Sequence, residues 1–223
     1  ILKTEDKDYV IASDTDSIYL HMGDLVEAVY KGREATTEGI VSFLNKVCEM
    51  ELEPYIESSY QELAEYVNAY DQKMIMKREN IADRGIWTAK KRYILNVWDS
   101  EGVRYEQAKL KIMGIEAIKT STPAPCRKFL KDAFGLLMTG TEDEVIEYIE
   151  QCRKDFKQLP PEEVAFPRSL SNVEKWKSSS DMYEKGCPIH VRGAILYNHY
   201  VKKKNLDNKY AAIQNGEKIK FCY

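Results

Sequence analysis

The chain has 223 residues, 43% hydrophobic and 31% charged, with a formal net charge of −3. That balance suits a globular protein of one large or two small domains; no apolar run reaches the roughly 20 residues a membrane-spanning helix needs, and nothing at the start resembles a signal peptide. Five widely spaced cysteines (Cys48, Cys126, Cys152, Cys187, Cys222) form no C-x-x-C pair, so neither a zinc ribbon nor a disulfide framework is indicated, and reduced thiols in a cytosolic protein are the natural reading.

Residues 1–8 are too short and charged to form a domain, and the chain enters a strand almost at once. Residues 8–21 predict two short strands, 9–12 and 18–21, rich in β-branched and aromatic side chains. The turn Ser13-Asp14-Thr15-Asp16-Ser17 joins them. Residues i and i+2 of an extended chain point the same way, so Asp14 and Asp16 are expected to converge, and a divalent cation is the usual partner for two such carboxylates. An acidic turn without chemistry is the bland alternative.

Residues 25–30 predict a short helix. Residues 33–70 are helical in period, with Ile40, Phe43, Leu44 and Val47 on one stripe and a break or kink at Pro54. Residues 73–79 alternate as a strand, 80–85 read as a loop, and the second half of 87–98 reads as a strand. Asp99-Ser100-Glu101-Gly102 is a hairpin turn, with a return strand over 103–105. The first ~115 residues therefore predict an antiparallel sheet backed by helices.

Further on, Thr122 is expected to cap a helix with Pro123 at its first position. Thr141 and Glu144 form a capping box for the next. Residues 166–186 read as polar and irregular. Pattern returns over 187–204, where Cys187 and His190 form a lone C-x-x-H that reads as packing. The apolar residues 221–223 look like a chain cut before its natural end. The fold class these elements predict is α+β.

Charge is uneven. Residues 1–72 hold 5 Lys+Arg against 16 Asp+Glu, and the remainder hold 28 against 20. A cation-binding portion followed by a phosphate-binding portion would have this distribution. Lys90, Lys91, Arg92 and Tyr93, just before a strand, supply cations for phosphates and an aromatic ring for a sugar; a solvated basic strand edge is the alternative.

The order of several motifs carries more than any one. The hydrophobic arm and Asp14-Thr15-Asp16-Ser17 resemble the metal-binding palm hairpin of family B DNA polymerases, Y-G-D-T-D-S, with Ala12-Ser13 in place of Tyr-Gly. Lys90-Lys91-Arg92-Tyr93 matches the K-K-R-Y form of the T-even-like (myovirus/cyanophage type) bacteriophage polymerases. Met76-Lys77-Arg78-Glu79 resembles their M-x-R-E. Lys109-Leu110-Lys111-Ile112-Met113-Gly114 with Glu116 and Lys119 resembles K-L-K-I-M-G-x-E-x-x-K, followed by Ser121-Thr122-Pro123. Cys187-Pro188-Ile189-His190-Val191-Arg192-Gly193 resembles the thumb segment C-P-x-H-x-R-G, with Tyr197-Asn198 after it.

This resemblance implies a palm subdomain over residues 1–115 and an incomplete thumb over 116–223. It implies that Asp14 and Asp16 are metal-binding catalytic aspartates, with Glu79 an auxiliary carboxylate. It implies that Lys90, Lys91, Arg92, Tyr93, Lys119 and Arg192 contact primer–template DNA; for Arg192 a structural salt bridge is an equal alternative. Two Mg²⁺ ions roughly 3.5–4 Å apart would clamp the attacking and leaving oxygens, and hard cations take carboxylate ligands. The cytoplasm of an infected bacterium is the implied location if the gene is a phage's.

The family's other metal-binding motif, D-x-x-S-L-Y-P-S, and its fingers helix, K-x-x-x-N-S-x-Y-G, are missing from this chain. The expectation is thus a palm–thumb portion that is inactive alone, takes dNTP only with the missing palm and fingers part, and needs an N-terminal polymerase chain or region. It is one subunit of a split enzyme, a partial gene, or a cloned piece. Two other readings are a non-catalytic DNA-binding remnant and a D-x-D glycosyltransferase holding Mn²⁺. The latter needs a β/α nucleotide-binding unit before the D-x-D, and only 13 residues precede Asp14.

Overall fold

The computed structural model describes residues 7–178 and 182–222. It is an α+β fold of antiparallel strand pairs and helices, divided into two compact units, Ile1–Met113 and Gly114–Tyr223.

The first unit opens on a hairpin of β1 (Val10–Asp14) and β2 (Ser17–Leu20). Asp14 pairs with Ser17, so only Thr15 and Asp16 form the turn. This is tighter than the five-residue turn expected from composition. Helices α1 (Gly23–Tyr30), α2 (Thr37–Val47) and α3 (Glu53–Tyr66) follow. The break expected at Pro54 falls just before it, as a π turn over Cys48–Leu52. A proline ring collides with the carbonyl four residues back, and a wider turn relieves that collision.

The three-stranded sheet β3 (Asn80–Ala89), β4 (Arg92–Ser100) and β5 (Val103–Met113) corrects two expectations. Residues 73–79 alternate but are unpaired, while 80–85, expected as a loop, form a strand. Turn-prone Asn80 is overruled by its pairing with Ser100 of β4, and Asp83, at a bulge, accepts from Asn96 Nδ2 at 2.8 Å. Gly85 fits because a Cβ there would lie 2.7 Å from the Trp87 ring and 2.8 Å from Leu95. The buried core of β4 is Ile94, Leu95 and Val97. Among the described residues β1–β2 is a separate two-stranded sheet rather than an extension of this one.

The second unit starts with a 3₁₀ turn, Glu116–Ile118, then α4 (Ala124–Thr139) and α5 (Glu142–Gln158), which pack together. Pro123 is the N-cap of α4, and Thr122 does not cap it. The capping box is present: Thr141 N–H donates to Glu144 Oε2 at 2.7 Å, and Glu144 N–H to Thr141 Oγ1 at 3.4 Å. A short α6 (Pro161–Val164) leads into β6 (Phe166–Ser169), which pairs with β7 (Lys218–Phe221).

The segment expected to be irregular therefore contributes a strand, and also a 3₁₀ turn at Val173–Trp176; residues 179–181 of it lie outside the described residues. Helix α7 (Ile189–Lys203) supplies Val191, Ala194 and Ile195 to a core with Leu170, Val173 and Cys187. Cys187 is buried in that core, which pushes its thiol pKa up. Asn198 brackets Ile213, accepting from its N–H and donating to its carbonyl, each at 2.8 Å.

Candidate functional site

Two hairpin tips meet in the first unit. At the first, β1 ends on Asp14, half-buried, and Asp16 sits exposed in the turn. Thr15 between them has φ 26, a left-handed conformation rarely adopted by a β-branched residue. Its hydroxyl donates to Asp14 Oδ1 at 3.2 Å. The chain reverses there, so the i/i+2 rule for extended backbone does not govern the two aspartates. At the second tip, Lys90 and Lys91 are the turn between β3 and β4, and Lys91 has φ 62. The basic motif expected just ahead of a strand is thus the apex of a hairpin. Arg92 and Tyr93 open β4.

The tips are joined by charge and by aromatic packing. Lys91 Nζ lies 3.6 Å from Asp14 Oδ2. Behind them the Tyr19 ring meets Trp87 and Tyr93 edge-on, each at a centroid distance of 5.4 Å. Tyr93 and Trp87 are 6.2 Å apart. Such pairs each contribute about 0.5–1.5 kcal/mol beyond area burial. Burial, with a hydrogen bond to Tyr19, raises the Tyr93 hydroxyl pKa well above its ordinary value, so it is a proton-bearing donor throughout the physiological range.

Glu79 is ion-paired with Lys111 of β5, and that hydrogen bond holds its carboxyl below the usual carboxylate range. Among the described residues no three His, Cys, Asp or Glu side chains gather as a metal-binding group, so Glu79 does not join Asp14 and Asp16 in one. The donor chemistry at the first tip still suits a hard cation in part: two carboxylates, with no His or Cys.

Two predicted residues lie in the second unit. Lys119 caps the 3₁₀ turn and pairs with Glu116 at 3.0 Å. Arg192, on α7, is half-buried with its guanidinium 4.8 Å over the Tyr183 ring. It is thus engaged in packing in its own unit.

The sequence reading missed the brace behind the site. Asp99, 1% exposed, accepts from Arg78 Nη1 and, at 3.0 Å, from Gly102 N–H; Arg104 Nε lies 3.5 Å away. The Arg78 guanidinium also donates to Asn45 Oδ1 from Nη2 at 2.6 Å and from Nε at 3.1 Å. Arg104 Nη1 reaches Ser42 at 2.5 Å. One buried carboxylate thereby ties α2, the unpaired segment ahead of β3, and the β4–β5 turn. The available signal was an arginine beside Glu79 and an aspartate opening an otherwise apolar strand's turn.

No protein-family model matches the chain. Two curated relatives do. The chain is 37% identical over 224 aligned positions to a DNA-directed DNA polymerase of Escherichia phage RB69. It is 32% identical over the same length to that of Enterobacteria phage T4. Each alignment covers 97% of this chain and 24% of the relative, so the chain spans about a quarter of the length of these polymerases.

Proposed function

The chain is a relative of the T4-type phage DNA-directed DNA polymerases along nearly all of its length, and from that premise we propose that it is the palm and thumb part of a family B polymerase. In this reading the first unit is palm and the second is thumb. Asp14 and Asp16 supply carboxylates to a divalent-metal site, Mg²⁺ being the expected ion. When bound, the metals stabilise the developing charge on the attacking and leaving oxygens. Lys90, Lys91 and Lys119 neutralise phosphates of primer–template DNA, and Arg92 and Tyr93 support the same track. Arg192 serves the second unit's packing. Glu79 is paired with Lys111 rather than gathered with Asp14 and Asp16, and is assigned no metal in this reading.

One observation carries the reading. Two motifs more than seventy residues apart, each unremarkable alone, meet as hairpin tips with Asp14 and Lys91 paired. A site that must hold a cation and a polyanion together needs carboxylates and lysines side by side. The strained Thr15 between the aspartates fits, since such conformations cluster at working sites.

Two carboxylates are fewer oxygens than a divalent ion requires. We therefore expect the purified chain to incorporate no nucleotide without the remaining polymerase region, which would also supply the triphosphate site. The DNA part is tested by primer–template binding against salt concentration. Lys90→Ala/Lys91→Ala should flatten the log–log salt slope by about 0.9 for each phosphate no longer neutralised. An unchanged slope, or no wild-type affinity at low salt, removes the DNA-binding role from this chain alone. Mn²⁺ binding by Asp14→Asn/Asp16→Asn separates a metal-binding palm from a DNA-binding remnant: only the first loses affinity.

A further inference from the structure

Helix α5 presents two different faces. Val145, Tyr148 and Cys152 are half-buried on the side where the Tyr148 hydroxyl donates to Asp132 Oδ2 of α4 at 3.3 Å. Ile146, Ile149 and Phe156 lie off that side and are 49%, 41% and 39% exposed. With Glu142 and Arg153 they recur at alternating intervals of four and three residues, so they form one stripe along the helix. No part of this stripe has a role in metal or DNA binding.

The same helix is divided by charge. Residues 142–150 hold five carboxylates and no cation, while residues 151–158 hold three cations and one carboxylate. Glu144 is engaged in the capping box, and Asp155 accepts from Gln151 Nε2 at 2.7 Å. Asp143, Glu150, Arg153 and Lys157 are exposed, and among the described residues none of them is in an ion pair. This charge order suits the helix dipole, but the dipole gives no reason for an apolar stripe between the charges.

Such a helix is complementary to itself. Two copies side by side and parallel would set carboxylates against carboxylates. Antiparallel, each acidic half meets the basic half of the other copy. A two-fold axis across the helix near Gln151 brings Ile146 to Phe156 of the second copy, and Ile149 to the aliphatic stem of its Arg153. Asp143 and Lys157 flank the same edge of the stripe, so each end closes on one such ion pair. We propose that the exposed stripe of α5 is a self-association surface, on which two copies of this chain pair with their α5 helices antiparallel. Three apolar side chains per copy are fewer than a standard interface holds, so the dimer is weak and forms only as concentration rises.

The test is sedimentation equilibrium of the whole chain at concentrations from about 10 μM to about 1 mM, the span in which a weak interface fills. The wild type should pass from monomer to dimer, and Ile146→Ser/Phe156→Ser should stay monomeric. Asp143→Lys and Lys157→Glu should each weaken the dimer about tenfold, the worth of the two exposed ion pairs that symmetry makes of one. An equal mixture of these two variants should associate as well as the wild type, because the changed end of each meets a complementary end of the other. Mixing does not repair a folding defect, so this restoration is specific to the pairing. A chain that is monomeric throughout overturns the proposal and leaves the stripe to a different protein. A dimer that survives Ile146→Ser/Phe156→Ser, or a mixture no stronger than either variant alone, also overturns it. None of these substitutions touches Asp14, Lys90 or Lys91, so the salt-slope test of the first unit stands or falls separately.

Discussion

Two aspartate–cation pairs in the first unit use the same chemistry to opposite ends. Asp99 and Arg78 are buried, their side chains 2% and 11% exposed; Asp14 and Lys91 are 30% and 66% exposed at 3.6 Å. The buried carboxylate is held by protein donors, and water cannot substitute for a missing partner. The outer pair is solvated, each member can leave the other at small cost, and each can accept a different partner. Burial, not charge, separates the residues that hold the site from those that can act.

The sharpest way to break that contrast is Arg78→Met. It strands a buried carboxylate, and should destabilise the first unit by about 3–5 kcal/mol. Chemical denaturation followed by Trp87 and Trp98 fluorescence measures it; a drop below about 1 kcal/mol would mean Arg104 and Gly102 suffice. Asp14→Asn should act the other way on function. Freeing Lys91 and removing a charge that repels phosphate should raise DNA affinity several-fold at low salt, with no change in melting temperature. Equal affinities would sink the idea that the outer pair is exchangeable.

Lys91→Met should shift stability by no more than about 0.5 kcal/mol, as for other exposed pairs. Glu79 with Lys111 tests an intermediate case by pH. Its folded carboxyl pKa lies below the ordinary value, so the pair stabilises above the unfolded carboxylate range and the contribution is lost as pH falls through the folded value. The stability difference between wild type and Lys111→Met should therefore be present at about pH 7 and close below about pH 4. A difference independent of pH would assign Lys111 to packing alone.

Local signals read well where local rules decide. The Thr141–Glu144 box and the hairpin around Asp14 and Asp16 follow from propensity and spacing. The misses arise where distant pairing decides. Residues 73–79 have a strand's alternation but no partner strand among the described residues, and Asn80 to Gly85 lack it yet lie in a strand paired with β4. Phe166–Ser169 looked irregular because its partner, Lys218–Phe221, lies some fifty residues on. At the site, the residue types were visible in both motifs. What could not be read was that Lys90 and Lys91 form a hairpin apex, and that Tyr19 places it beside Asp14.

The hairpin's aromatic anchor is on its outgoing arm, while its incoming arm is tied by charge through Asp14 and Lys91. Tyr19 makes the ring contacts with Trp87 and Tyr93, whereas Val10 and Ile11 on the incoming arm are 46% and 47% exposed. Ser13 is not among the residues with positive φ; the reversal falls on Thr15. Substitution at Val10 or Ile11 should therefore cost less than substitution at Tyr19, which alone of these meets Trp87 and Tyr93. A chain altered at Ala12-Ser13 but retaining Tyr19 should keep the carboxylates where they are.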